Sequence, residues 1–398
     1  MSKYHSTRAV HGGEERAKPY GALTMPIVQT STYTFRDTAE IMAFMEGKAV
    51  GDGPVRDEYG RYSNPTQTVA EQKVAALEGG EGALLFASGM CAITTTLCTL
   101  LSAGDHLVMV RDCYHRTREF ALSFLGRWDI ETTLVPPGDT AALAAALRPN
   151  TRLIFAETPT NPYLRVQDLA GLVDLARERD VTTMVDSTFA TPINLRPLEL
   201  GVDLVVHSAT KYLGGHNDLL AGAVVGGRVG LAPIEQARGV MGGMGNPHDA
   251  YLLIRGIKTL DLRVRRHNEN GQRVAEFLAG HPAVRRVYYP GLADHADHGV
   301  ARSQMAGFGG VVSFEIEGDF ETTGRFVDSL RLPYIGPTLG GVESIVEQPA
   351  ALFSLDAEAR REAGLVDNLV RYALGIEDAD DLIDDLAQAL ETVRGEIA

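Results

Sequence analysis

VDLVVHSATK, residues 202–211, begins as an apolar run of Val202, Leu204, Val205 and Val206 and ends in His207, Ser208, Ala209, Thr210 and Lys211. Tyr212, Leu213 and the pair Gly214-Gly215 follow. A short β-branched run bounded by turn residues predicts a strand buried on both faces. Sheets of such strands gather their ligands at the carboxyl ends. Ser208, Thr210 and Lys211 then stand where a ligand would lie. Two hydroxyls and one amine suit an anionic ligand that also carries a carbonyl group.

Working outward, the same pattern recurs on either side. A strand over about 181–185 ends in Asp186, and one over about 151–156 ends in ETPTNP (157–162). A strand at 83–86 runs into Ala87-Ser88-Gly89-Met90 and then a helix through Ile93, Leu97 and Leu100. Further strands are expected at 106–110, 130–135 and 219–225, and helices at about 66–77, 141–146 and 169–177. Buried strands alternating with helices predict an α/β fold with a mostly parallel central sheet covered on both faces. A long helical region is expected over about 247–278. After it, strands near 286–289, 311–316 and 369–374 and helices near 322–330 and 379–393 predict a smaller α+β C-terminal domain. Residues 1–60 are punctuated by Gly12-Gly13, Pro19, Gly21, Pro26, Gly51 and Pro54 and read as neither strand nor helix. Their apolar content is too high for disorder, so they are expected to form an arm against a neighbouring subunit. The division is 1–60 arm, 61–255 large domain and 256–398 C-terminal domain.

Composition narrows the function. The 398 residues carry a formal charge of −15, which disfavours nucleic acid and anionic membrane as partners. No run reaches transmembrane length and no apolar leader opens the chain, so a cytoplasmic location is expected. The cysteines Cys91, Cys98 and Cys113 show neither a disulfide framework nor a zinc spacing, and no histidine spacing suggests a metal.

The residues that carry chemistry cluster at strand ends. Lys211, desolvated there, can have a lowered pKa and attack a carbonyl. Asp186 ends a neighbouring strand, where a carboxylate can keep a pyridine nitrogen protonated and make the ring an electron sink. Ser88, Gly89 and Met90 open a helix, and backbone N–H groups at a helix N-terminus bind phosphate. Ser208 and Thr210 can add hydroxyls. Pyridoxal phosphate is the cofactor that answers all three features. Each residue also has an ordinary reading: an exposed lysine, an N-cap aspartate, a plain helix cap. Taken alone, Tyr59 and Arg61 read better as a surface pair than as a phosphate contact, and Tyr114 reads as a ring-stacking or a core tyrosine. Arg371 lies inside the apolar run LVRYALG (369–375), where a charge must be paired. It would either grip a carboxylate bidentately or pair structurally.

With these residues in view, the chain resembles the Cys/Met-metabolism family of pyridoxal-phosphate enzymes, which includes the cystathionine γ-synthases, cystathionine γ-lyases and methionine γ-lyases. The pieces are YGRYSNPT (59–66), ASGM (87–90), ETPTNP (157–162), DSTFATP (186–192), HSATKYLGGHND (207–218), RGIKTL (255–260), LGGVES (339–344) and RYALGIED (371–378). The resemblance implies the aspartate-aminotransferase type of fold, fold type I, as a homotetramer of two active dimers. It implies Lys211 as the Schiff-base lysine, Asp186 as the pyridinium partner and Tyr114 as the ring-stacking residue and acid. Ser88, Gly89, Met90, Ser208 and Thr210 match the phosphate cup, and Tyr59 and Arg61 the pair that reaches a neighbouring subunit's cofactor. Asn161 matches a residue near the cofactor hydroxyl and Arg371 the carboxylate anchor, with Thr338 and Glu343 near the substrate. The implied substrate is a small amino acid, and the implied reaction γ-elimination to a 2-oxo acid, ammonia and a thiol, with γ-replacement as the alternative.

Departures from the family pattern collect around the substrate. His115 and Arg116 follow Tyr114, where small residues are frequent, and a methionine γ-lyase typically has cysteine where Arg116 stands. Gln348-Pro349-Ala350 and Leu352-Phe353-Ser354 replace HPA and MTH, and Thr338 stands where serine is frequent. Two other readings compete: a nicotinamide dehydrogenase, which lacks its GxGxxG, and a family member that keeps the cup without turnover.

Overall fold

The computed structural model describes residues 4–50, 56–353, 356–362 and 364–397. Seven strands build the larger sheet: β1 (Gly82–Phe86), β2 (His106–Val110), β3 (Glu131–Val135), β4 (Thr151–Glu157), β5 (Thr182–Asp186), β6 (Leu204–Ser208) and β7 (Gly222–Gly226). Their order is β1-β7-β6-β5-β4-β2-β3. β7 is antiparallel to both its neighbours, and the other pairs are parallel. The carboxyl ends of β4, β5 and β6 therefore lie side by side, with Glu157 opposite Asp186 and Asp186 opposite Val206.

Both faces of this sheet are buried, which is why its strands read as continuous apolar runs. Leu107, Phe155, Met184 and Val206 pack with Ala92, Ile93 and Leu97 of the helix Gly89–Leu100. Val108, Ile154, Val185 and Val205 pack with Leu169, Leu172 and Val173 of the helix Leu169–Glu178. Full burial of side chains like these stabilises by about 1.5–3 kcal/mol each. His207 turns away from this second group to meet Glu78 of the helix Pro65–Glu78, Nε2 to Oε1 at 2.5 Å, both side chains buried. It is a structural tie between that helix and β6.

The smaller sheet contains β8 (Val284–Tyr288), β9 (Val311–Ile316), β10 (Tyr334–Ile335), β11 (Ile345–Glu347) and β12 (Leu369–Ala373), in the order β10-β11-β12-β9-β8. Val312, Phe314, Val370 and Tyr372 face a core closed by Leu382, Leu386 and Leu390 of the helix Ala379–Ile397. The alternate residues point back towards the larger sheet. Among them, Arg371 lies opposite Glu347 and Ser313, and Ser313 Oγ donates to Pro162 O after β4. This alternation is what aims Arg371 at the carboxyl ends of β4–β6.

Three expectations need correction. The first 60 residues are not without regular structure, since they contain the helices His5–His11 and Thr38–Val50. The second starts on a capping box: Glu40 N donates to Asp37 Oδ1 at 2.8 Å and Arg36 N to Glu40 Oε2 at 2.6 Å. Its apolar residues form no inward stripe, and Ile41, Met42 and Met45 are exposed, so periodicity gives no signal there. The long helix expected over 247–278 is two, Pro247–Ile257 and Leu260–Ala279. Arg263 Nη2 and Thr259 Oγ1 take the Gly256 carbonyl at 2.7 and 3.2 Å and break the ladder there. The strand expected from 219 starts at Gly222, because Ala221 is already engaged by Thr210, whose Oγ1 lies 3.1 Å from Ala221 O and 3.0 Å from Ala221 N. Leu260 and Val264 pack into the larger domain's core, while Val274 and Leu278 pack into the smaller one. One helix thus ties the two sheets together. The helix Arg228–Met241 and the strands β10 and β11 lie outside the elements expected from the sequence.

Candidate active site

A cavity of about 240 Å³ opens at the carboxyl ends of β4, β5 and β6. Ser88, Gly89, Met90, Tyr114, Asn161, Asp186, Ser208, Thr210, Lys211 and Arg371 all line it, so residues spread over almost 300 positions of sequence meet there.

Lys211 sits in the turn that follows β6. Burial there pulls its pKa down to about 8, the Arg371 cation assists, and Glu347 opposes. Its Nζ donates to Thr338 Oγ1 at 2.8 Å, which places Thr338 beside the reactive amine. Behind it, Arg263 Nη1 donates to Tyr212 O at 2.7 Å and fixes the turn. A largely buried amine of lowered basicity is a nucleophile prepared for a carbonyl.

Asp186 ends β5 at the cavity floor. Burial raises its pKa, and hydrogen bonds from Thr188 oppose that most strongly. Thr188 N and Oγ1 donate to Asp186 Oδ1 at 3.0 and 2.5 Å, and Thr188 Oγ1 accepts from Ser208 N at 2.8 Å. The carboxylate is thereby oriented from the strand that carries Lys211. Sequence reading missed Thr188, although DSTFATP contains it.

The anion end is formed by the helix Gly89–Leu100. Ser88 caps it, its Oγ accepting from Cys91 N at 3.1 Å. A Cβ on Gly89 would lie 2.9 Å from Ser208 Cβ, so only glycine lets this helix N-terminus approach β6. Free backbone donors and the Ser208 hydroxyl face the same space.

Glu157, beside Asp186, was also missed. It is buried and its Oε2 accepts from Tyr114 N at 2.8 Å. Burial first, and then the Asp186 charge, push its pKa well above the usual carboxylate range, while backbone N–H groups of Tyr114 and Asn161 oppose. It holds in place the two residues, Tyr114 and Asn161, that border the cavity from different loops. The signal was available: a glutamate ending a buried strand needs partners.

Arg371 is buried, with Nη1 on Asn161 Oδ1 at 3.1 Å, and Nη2 on Thr338 O at 3.2 Å and Glu347 Oε1 at 2.9 Å. Its Nε has no partner among the described residues. The structural pairing weighed from sequence is therefore present, with Glu347, and one buried donor, Nε, is still left without a partner among the described residues. Burial raises the Glu347 pKa and the Arg371 and Lys211 cations oppose.

Other expected residues lie elsewhere in the chain. Tyr59 and Arg61 do not line this cavity; Arg61 stacks on the Tyr62 ring at 4.6 Å and bonds Gly239 O. Both sit at the surface rather than in this chain's own cup. Glu343 is exposed and its Oε2 accepts from Asn217 Nδ2 at 2.9 Å, so the chain by itself does not bring it to the substrate space. Ser354 lies outside the described residues.

A second cavity, about 570 Å³, continues outward from the first and shares Tyr114, Asn161, Pro337 and Arg371 with it. His115, Arg116, Arg118 and Glu119 form one wall, and Pro349, Leu352 and Phe353 another. Of the departures from the family pattern, His115, Arg116, Leu352 and Phe353 line this one space, whereas Thr338 stands beside Lys211 and Gln348 is buried and bonds Phe320 O and Asp367 O at 3.0 and 2.8 Å.

A depressed amine, an aligned carboxylate, a glycine-lined helix N-terminus and an arginine with a spare donor are a donor set that fits pyridoxal phosphate. Lys211 would hold its aldehyde carbon, Asp186 its ring nitrogen and residues 88–90 with Ser208 its phosphate. The chain matches the family described as Cys/Met metabolism PLP-dependent enzyme over residues 6–391, and it belongs to that family. It is thus a pyridoxal-phosphate enzyme of sulfur amino acids, with the type I fold.

Cystathionine gamma-synthase 1, chloroplastic, of Arabidopsis thaliana is 50% identical over 389 residues, covering 96% of this chain and 68% of that one. L-methionine gamma-lyase of Pseudomonas putida is 43% identical over 390 residues, covering 97% of each. The solved cystathionine gamma synthase from Xanthomonas oryzae pv. oryzae, in complex with aminoacrylate and cysteine, superposes with a TM-score of 0.92 at 37% identity, covering 99% of this chain and 100% of that one. Among the described residues no helix is long and apolar enough to cross a membrane.

Proposed function

We propose that the chain catalyses γ-replacement, joining a thiol-bearing amino acid to an activated homoserine, with γ-elimination as its side reaction. The observation that carries this reading is the charged outer cavity. A space of about 570 Å³ lined by Arg116, Arg118, Glu119 and Asp112 suits a second zwitterion better than a methyl thioether tail. The higher identity to a cystathionine gamma-synthase than to a methionine gamma-lyase supports it, as does the cysteine bound in the Xanthomonas neighbour.

When bound, pyridoxal phosphate supplies an electron sink next to the substrate α-carbon. This chain's residues do the rest. Arg371 grips the substrate carboxylate. Lys211 Nζ, lowered towards neutral, moves the α-proton and returns it, with Thr338 Oγ1 holding the amine between transfers. Asp186, oriented by Thr188, keeps a proton on the ring nitrogen. The Tyr114 ring, on the cavity wall, would help to hold the cofactor ring, and its hydroxyl would serve the departing γ-substituent.

The elimination reading that the family resemblance implies keeps support from the methionine gamma-lyase relatives. Incubating the holoenzyme with O-succinylhomoserine, with and without cysteine, separates the two. Replacement predicts a cystathionine peak by mass spectrometry that grows at the expense of 2-oxobutyrate and ammonia. Keto-acid release unchanged by cysteine, or faster release from methionine alone, would favour elimination.

We also propose a homotetramer of two active dimers in which Tyr59 and Arg61 reach the phosphate in the neighbouring subunit. Exposed Tyr59, Tyr62, Val240 and Met241 give such a contact apolar surface. Three parts, an arm over 1–60, a cofactor domain over 61–255 and a C-terminal domain over 256–398, and a cytoplasmic location complete the reading.

A further inference from the structure

Within the outer cavity one side chain is chemically unlike the rest. The wall after β2 is the short helix His115–Glu119. Arg116 Nη1 is held by Glu119 Oε2 at 2.6 Å, and Arg118 Nη1 donates to Arg111 O at 2.9 Å. On the far side Tyr163 Oη donates to Gly364 O at 2.7 Å, and Glu347 is committed to Arg371 at 2.9 Å. The His115 ring meets the edge of the Tyr114 ring with centroids 4.8 Å apart, and among the described residues neither of its nitrogens takes a hydrogen bond. The imidazole thus adjoins the ring that separates the inner cavity from the outer one, with a lone pair to spare.

We propose that His115 accepts the thiol proton of the incoming nucleophile. The assignment rests on the replacement reading given above. A thiol must lose its proton to attack, and at neutral pH only a few per cent of a free cysteine is thiolate. The S–H bond breaks, its proton passes to an imidazole nitrogen, and the sulfur electron pair forms the new C–S bond at the substrate γ-carbon. The acyloxy group has by then left that carbon with its own electron pair. The imidazolium releases its proton to solvent through the cavity mouth.

The groups facing His115 favour this role. Burial lowers its pKa, Arg116 and Arg118 lower it further, and Glu119 opposes. Asp112 and Tyr114 precede it on the same loop. Glu347 and Arg371 face it from β11 and β12 as a neutralised pair, and Tyr163 from the loop after β4. An imidazole below its ordinary value is neutral at pH 7 and ready to accept. Asp112 is a rival base: burial raises its pKa, and the Arg165, Arg118 and Arg111 cations oppose.

The test is the partition ratio, cystathionine formed over 2-oxobutyrate formed, measured on the holoenzyme with O-succinylhomoserine and cysteine between pH 6 and 9.5. His115→Gln should lower that ratio about 10- to 100-fold at pH 7. The deficit should shrink as pH rises and cysteine ionises by itself. An acidic thiol such as thiophenol should narrow the gap at pH 7, whereas Asp112→Asn should leave the ratio's pH profile in place. A histidine resonance absent from His115→Gln should titrate below the ordinary imidazole value by NMR and move when cysteine is added. A deficit independent of pH and of thiol acidity would show His115 to be packing only, and loss of the profile in Asp112→Asn would assign the base to Asp112. If the wild-type enzyme forms no thioether with any thiol, the replacement reading falls and takes this one with it. If it does and His115→Gln keeps its ratio, only the proton acceptor is overturned.

Discussion

The inner and outer cavities share a wall and differ in how their residues are held. In the inner one nearly every functional group is pinned by a buried partner: Asp186 by Thr188, Tyr114 by Glu157 and Arg371 by Glu347. In the outer one Arg116 and Glu119 pair with each other at the surface, and His115 has a ring contact with Tyr114 but no hydrogen bond among the described residues. Buried polar groups cost free energy unless satisfied, so the inner set is a network in which each residue constrains the next. The outer set is under no such constraint and can differ between family members while the cofactor chemistry stays the same. On the proposed reading, cofactor binding belongs to the inner cavity and substrate choice to the outer one.

The largest test of that contrast is Lys211→Ala. It should lower turnover by 10⁴-fold or more, on the order of what loss of a catalytic proton carrier and nucleophile costs, and borohydride should no longer fix the cofactor to the chain. Full turnover in that variant would end the account of the inner cavity.

Arg371→Ala should raise KM for the amino acid about 100-fold, the loss of a charge-assisted anchor worth about 3 kcal/mol. It should also cost stability, since Glu347 is left buried without its cation. Double substitution with Glu347→Gln should recover part of the melting temperature but not the KM. Recovery of both would mean that the arginine is structural only.

Glu157→Ala should destabilise by about 1–3 kcal/mol, because the Tyr114 and Asn161 N–H groups lose their acceptor. Glu157→Gln keeps an acceptor and a neutral group, and should melt within about 1 kcal/mol of wild type. Equal losses in both variants would argue for a charged Glu157.

The pH dependence of the apoenzyme probes Lys211 directly. Its pKa is depressed in the folded chain, to about 8, below the roughly 10.4 of an unfolded chain. Between those values the unfolded state binds more protons, so stability rises with pH through that window, and below about 8 the folded state bears the cost of a buried cation. Denaturant melts of Lys211→Met should lack that rise and lie about 1–3 kcal/mol above wild type at pH 7. An unchanged slope would place the lysine in solvent.

The smallest effect belongs to the outer wall. Arg116→Ala should change stability by less than about 0.5 kcal/mol, as an exposed ion pair does, and should act on KM for the thiol partner alone.

Most of the inner site was legible because each of its pieces is local. ASGM announces a helix N-terminus after a strand, and VDLVVHSATK a strand with chemistry at its end. Thr188 and Glu157 escaped because their task is to hold other residues, and that appears only when β4, β5 and β6 are laid side by side. The helix Thr38–Val50 escaped because Ile41, Met42 and Met45 stay exposed within the chain while Phe44 turns inward, so no periodic stripe marks it.

The sequence by itself determined the alternation of buried strands and helices, the cofactor and the place of Lys211 at the end of a strand, because burial pattern and turn chemistry are written within a few residues of each other. Only the tertiary structure decided that Arg371 faces Glu347 and Asn161 with a donor to spare, that Tyr59, Arg61 and Glu343 stand away from this chain's own cup, and that His115 and Arg116 wall a second space. Those facts depend on strand order and on which face of β12 turns inward, and pairings across 24 residues to Glu347 and 210 to Asn161 leave no periodic trace in the chain.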